Sequence, residues 1–232
     1  MITASSNVRT YTMSDAGVQA ILSGTHLAPN VSSVIQYAAQ YQIDPNFFLA
    51  YSKWENGFMA VSLGYPQVAV DMNNPFDIIC VNAPCNEGNC PGGVNLSCGD
   101  PSGNQFANGC VNPGNGWCYT AYPDLATGIE AAFWQTNVWI TRDGYAPTWG
   151  SLLSVAGFGA ETIPNILADA NSWATQYPFV GTPPNTCGPG LVWDSLTQSC
   201  VPVETFAASV GAALAGAGLL VGSGYLLWRS LV

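Results

Sequence analysis

Apolar residues recur at helical spacing in several separate stretches of this chain. Over residues 31–42 (VSSVIQYAAQYQ), Val31, Val34, Ile35, Ala38 and Tyr41 follow the three- and four-residue steps of one helix face. The next stretch, IDPNFFLAYSKWENGF, offers Asp44 as an N-cap, Pro45 at the first helical position and Gly57 as the stop. Residues 124–141 predict another helix, with Leu125, Ile129, Ala132, Phe133 and Val138 turned inward. Residues 149–155 and 163–177 predict two more, joined by AGFGAET. Residues 64–79, rich in Gly, Pro and Asn, read as a loop with a short apolar end. The expected class is mainly α, and no internal repeat is present.

The cysteines add a second layer. Six of the eight, Cys80, Cys85, Cys90, Cys98, Cys110 and Cys118, sit in one stretch with no CxxC, among Gly, Asn and Pro residues that build no core of their own. This predicts a disulfide-stapled irregular insertion over residues 80–118, in preference to a zinc site. Cys187 and Cys200 stand apart after a Pro/Gly linker and predict a tiny stapled hairpin. Closing so short a loop stabilises by roughly 3 kcal/mol in the chain-entropy model. The expected organisation is an N-terminal segment (1–30), a helical domain (31–180), a linker with the Cys187–Cys200 unit (181–205) and an apolar tail (206–229).

That tail, FAASVGAALAGAGLLVGSGYLLW, carries no charge between Glu204 and Arg229. As a helix it spans about 34 Å, enough for a hydrocarbon core of roughly 30 Å. Tyr225, Trp228 and Arg229 sit where an interfacial belt belongs, and Arg229 favours the C-terminus inside and the large domain outside. The expectation is a single-pass membrane protein embedded in a lipid bilayer through residues 206–229. Gly211, Ala215, Gly218 and Gly222 share one face, which permits packing against a like helix or another membrane protein. The opening MITASSNVRTYTMSDAG has no apolar run of the kind a signal peptide requires. A cysteine-rich outer domain with such a start and a C-terminal anchor would suit a tail-anchored protein or a component of a membrane-containing virion.

Composition then removes whole classes of function. The 232 residues include 4 Lys+Arg against 14 Asp+Glu, a formal charge of −10 with an isoelectric point near 4.1. Charged residues are 8% of the chain, against roughly 25% in an average soluble domain. Four cations do not neutralise a phosphate backbone, so nucleic acid is excluded as a partner. A single histidine, His26, leaves no Ser-His, Cys-His or multi-histidine metal site, and no cofactor is called for.

The candidate chemistry sits on the helix that follows Asp44. Phe48, Tyr51 and Glu55 lie at i, i+3 and i+7, so a carboxyl is in line with two aromatics, flanked by Trp54 and Phe58. Burial against aromatic rings disfavours the charged form of a carboxyl, and the negative end of the helix dipole adds to this. A carboxyl kept protonated near neutral pH is what a glycosidase needs as general acid. The competing expectation pairs Glu55 with Lys53 or Arg142, or turns it to solvent. Trp54, Trp117, Tyr119 and Tyr122 are candidates to stack on sugar faces, and Trp193 is either a further sugar contact or part of a spacer.

IDPNFFLAYSKWENGF resembles the helix of lysozyme-like cell-wall hydrolases, hydrophobic-x-P-x-F-x-L-A-x-x-x-x-E-S-G-F/W. NNPFDI (residues 73–78) is similar to an N-N-[LP]-F/G-G/N-I element of the endo-β-N-acetylglucosaminidase branch. CYTAYPDLATGIEAAFWQT resembles the segment of that branch that leads into its next helix, and YAPTWGSLLSVAGFGAETIPNILADANSW resembles its final helices. These four segments occur in order across residues 31–177. The resemblance implies a lysozyme-like fold, peptidoglycan glycan strands as substrate, Glu55 as catalytic acid, and Asn73, Asn74 and Tyr122 as groove residues. Two positions depart from the pattern: Asn56 replaces the Ser of E-S-G, and Asp77 replaces a Gly. The second carboxylate of a glycosidase is left open among Asp71, Asp77 and Glu87, beside two alternatives: assistance by the substrate's acetamido group, or a non-hydrolytic cleavage that needs only Glu55.

Two functional expectations follow. One is a membrane-anchored muralytic glycosidase or transglycosylase. The other is a lysozyme-like spike, receptor-binding or assembly module that has lost its chemistry, which the changes at Asn56 and Asp77 and the long insertion favour.

Overall fold

The computed structural model describes residues 1–59, 70–78, 106, 108–111, 119–181, 191–194 and 199–202. They fall into two units, residues 1–185 and 186–232. The first is mainly helical: α1 (Asp15–Leu22), a 3-10 turn (Ala28–Asn30), α2 (Val31–Tyr41), α3 (Pro45–Asn56), α4 (Leu125–Thr141), α5 (Trp149–Val155) and α6 (Ile163–Gln176). A two-stranded antiparallel ribbon, β1 (Gly109–Val111) and β2 (Tyr119–Ala121), pairs Cys110 with Thr120. In the second unit β3 (Leu191–Asp194) and β4 (Ser199–Pro202) form a hairpin that pairs Trp193 with Cys200.

The helix boundaries follow their caps. Asp44 Oδ1 accepts from Asn46 N–H at 3.1 Å, Pro45 opens α3, and Gly57 closes it in the left-handed region at φ 60°. Asp124 accepts from Thr127 N–H at the start of α4, and Thr148 from Ser151 N–H at the start of α5. Each cap satisfies amide groups that a helix end leaves without a partner. Helix α2 ends at Gln42, which takes φ 54°.

Residues 1–30 are not a separate segment, as the sequence pattern had suggested. Ile2, Val8, Met13, Val18, Leu22 and Leu27 are buried in the same core as Phe47, Phe48, Trp149 and Ile166. Asn171 on α6 clasps the Ile2 backbone from both sides, at 2.6 and 2.7 Å, and Asn7 bridges to Thr148. Gly17 allows α1 to lie against Tyr177: a Cβ there would come within 2.5 Å of the Tyr177 Cβ. The two ends of the unit thus close on each other, with α3 wholly buried along most of its length.

No described helix is long and apolar enough to cross a membrane. The expected span 206–229 lies outside the described residues. So do Glu87, Trp117 and the side chains of all eight cysteines, including the expected Cys187–Cys200 staple.

Candidate functional site

A column of rings builds the site from below. Phe133 on α4 stacks on Phe48 of α3 (centroids 4.9 Å, 11°), Phe48 on Phe76 (5.1 Å), and Phe76 on Tyr51 (3.8 Å), which meets Phe158 edge-on at 5.4 Å. The helical steps from Phe48 to Tyr51 to Glu55 therefore carry a carboxyl to the top of this column. Phe76, its neighbour Asp77 and the α5–α6 connection are brought to the same place. There a cleft of about 630 Å³ opens, lined by Glu55, Asp77, Tyr51, Tyr119, Trp139 and Phe158 among others. Such a volume lies in the usual range for a small-ligand site.

Glu55 is half-buried, and neither basic candidate pairs with it. Lys53 Nζ reaches Asp169 at 2.7 Å, and Arg142 pairs with its neighbour Asp143 at 2.7 Å. Burial first, then the nearby charge of Asp77, push the Glu55 carboxyl up to about 7, while a hydrogen bond with the Tyr51 hydroxyl acts in the opposite direction. Asp77 is also raised by burial, and its bond from Asn56 moderates the rise.

The two departures from the motif meet each other. Asn56 is fully buried, and its amide donates to Pro75 O at 3.1 Å and to Asp77 Oδ1 at 3.3 Å. Its Oδ1 accepts from Met59 N–H at 2.9 Å. That last bond holds a short left-handed turn in which Gly57, Phe58 and Met59 take φ of 60°, 60° and 61°. Left-handed backbone costs a non-glycine residue roughly 1–2 kcal/mol, so the turn needs such an anchor. Asp77 has φ 48°, a region that Asp and Asn tolerate best after Gly.

Four expected substrate contacts take other roles. Asn74 is fully buried, and its amide donates to Ile78 O and Thr120 O, both at 3.0 Å, while its oxygen accepts from Ile78 N–H. Asn73 donates to Tyr122 O at 3.0 Å and bends the chain at φ 54°. Tyr122 is buried, with its N–H on Met72 O at 2.9 Å. These residues pin the 70–78 loop to β2, and none of them lines the cleft. Trp54 donates to Asp169 on α6 at 2.8 Å and is likewise outside the lining. Polar residue types alone do not separate a groove wall from an internal brace; an amide with backbone carbonyls on both sides is the brace. Asp71 is exposed and does not line the cleft.

The walls that the sequence pattern missed are Gln135 and Trp139 on α4, Asp143 just beyond its end, and residues 155–158 at and after the end of α5. Trp139 falls four residues after Gln135, on one face of α4, and Arg142 at the C-cap lines the cleft three residues further on. Among the described residues no cluster of His, Cys, Asp and Glu has the makings of a metal site. No protein-family model, curated protein or solved structure matches the chain.

Proposed function

We propose that this protein is a lysozyme-like glycosidase that cuts the β-1,4 glycan strands of peptidoglycan, with Glu55 as the general acid and the apolar segment 206–229 as its membrane anchor. One observation carries the reading: a carboxyl raised to about 7 sits in an aromatic-walled cleft with a second carboxylate beside it. A protonated Glu55 delivers its proton to the bridging oxygen as the glycosidic bond breaks, which turns a poor alkoxide leaving group into an alcohol. Tyr119, Trp139 and Phe158 line the cleft, and aromatic rings are side chains suited to the apolar sides of pyranose rings. Asn56 and Asp77, which on sequence grounds favoured a spent scaffold, have structural reasons to be there and do not weigh against activity.

The test is lysis by the full chain in detergent micelles, wild type beside Glu55→Gln. Purified peptidoglycan from several bacteria supplies the substrate, with turbidity as readout and fragment ends identified by mass. Wild-type lysis that Glu55→Gln abolishes is the expected result. A folded wild type that leaves every wall intact overturns the proposal.

A further inference from the structure

We propose that Asp77 is the catalytic base of this cleft, oriented by the Asn56 amide so that its carboxylate takes the proton of the water that attacks the anomeric carbon. The inference rests on the glycosidase reading and names the second group that such a reaction needs.

Several features single out Asp77. It lines the same cleft as Glu55, yet the two carboxyls have separate braces: Tyr51 bonds Glu55, and Asn56 Nδ2 bonds Asp77 Oδ1 at 3.3 Å. No further side-chain bond engages Asp77 Oδ2 among the described residues, so that oxygen is available to a water. Burial raises the Asp77 carboxyl and the Asn56 donor offsets part of that rise, while burial and then the Asp77 charge keep the proton on Glu55. The backbone at φ 48° is a conformation that surroundings must impose, and it fixes where the side chain leaves the chain. Among the described residues the competing carboxylates lack this setting: Asp143 is exposed and paired with Arg142, and Asp71 lies outside the cleft.

The step is a single displacement. The water oxygen forms a bond to C1, and one of its protons passes to Asp77. The C1–O bond to the next sugar breaks, its electron pair stays on that oxygen, and the oxygen takes the proton of Glu55. Attack from the side opposite the leaving group converts a β linkage into an α hemiacetal.

The experiment follows the full chain in detergent on peptidoglycan, with the anomer of the new reducing end read by proton NMR before mutarotation. Wild type is compared with Glu55→Gln, Asp77→Asn and Asp77→Gly; the left-handed backbone accepts Asn and Gly, so both variants are expected to fold. The expected results are an α product, a fall in kcat of about 10²- to 10⁴-fold in both Asp77 variants with KM little changed, and rescue of Asp77→Gly by azide with release of an α-glycosyl azide. A β product, a 1,6-anhydro end, Asp77→Asn within about threefold of wild type, or Asp77→Gly left inactive by azide each overturns the assignment. If wild type cuts and Glu55→Gln does not while Asp77→Asn still does, only the base is misassigned. If folded wild type cuts nothing, the glycosidase reading falls and this inference with it.

Discussion

Gly128 on α4 is the test of how the 70–78 loop is held. A methyl group added there would overlap the carbonyl oxygen of Asn73 and lie 2.9 Å from its carbonyl carbon and 3.3 Å from Pro75 Cδ. Taken alone, Gly to Ala inside a helix stabilises by about 1 kcal/mol. Here the loop must retreat by roughly 1 Å or more, against the Asn73–Tyr122 and Asn74–Thr120 bonds that pin it, and overpacking of this kind costs about 1–3 kcal/mol. The net expectation for Gly128→Ala is a loss of up to roughly 2 kcal/mol, or up to about 8 °C in Tm for a unit of this size. The same retreat displaces Phe76 and Asp77 relative to Glu55, and an error of about 1 Å at a reacting group lowers the rate by on the order of 10²-fold. Thermal unfolding and wall lysis, measured on the same preparation, read both effects. A Gly128→Ala protein as stable as wild type and fully active would refute the close approach of α4 to this loop.

Other outcomes follow from the same geometry. Activity should fall as pH rises through about 7, because Glu55 must hold its proton to act; a rate that keeps rising to pH 9 would exclude Glu55 as the acid. Asn56→Ala should cost about 2–4 kcal/mol in chemical denaturation, since it leaves Met59 N–H and Pro75 O buried without their partner. Asp44 is fully buried and its carboxyl is raised to about 7, so the folded state binds more protons than the unfolded one between about pH 4 and 7. Stability should therefore decline as pH rises across that window, and Asp44→Asn should flatten the decline; an unchanged slope would show that Asp44 does not cause it. Trp54→Phe should lose about 1 kcal/mol with the Asp169 bond while leaving lysis nearly untouched, whereas a large rise in KM would return Trp54 to the sugar-binding surface.

What the sequence shows about this fold is what local rules encode. The cap at Asp44 and the stop at Gly57 are visible because each acts within four residues of its helix end. Glu55 is visible because it shares a face with Phe48 and Tyr51. Helix α1 is eight residues long, and its burial depends on Tyr177, so no local pattern announces it. The cleft walls at Trp139 and Phe158 lie some 80–100 positions beyond Glu55 and reach it only through the packing of α4 and α5. Asn73 and Asn74 mislead because an amide suits a sugar hydroxyl and a backbone carbonyl equally, and only the fold decides which it meets.

The left-handed backbone at position 77 has a bearing on how such a site changes over generations. Aspartate, asparagine and glycine are the residues this conformation tolerates, and in the genetic code each of the latter two is one base away from aspartate. A lineage carrying this loop can therefore gain or discard a carboxylate beside Glu55 in one mutational step, with the surrounding architecture left standing. Position 77 is thus a point at which one base substitution sets the number of carboxylates in the cleft.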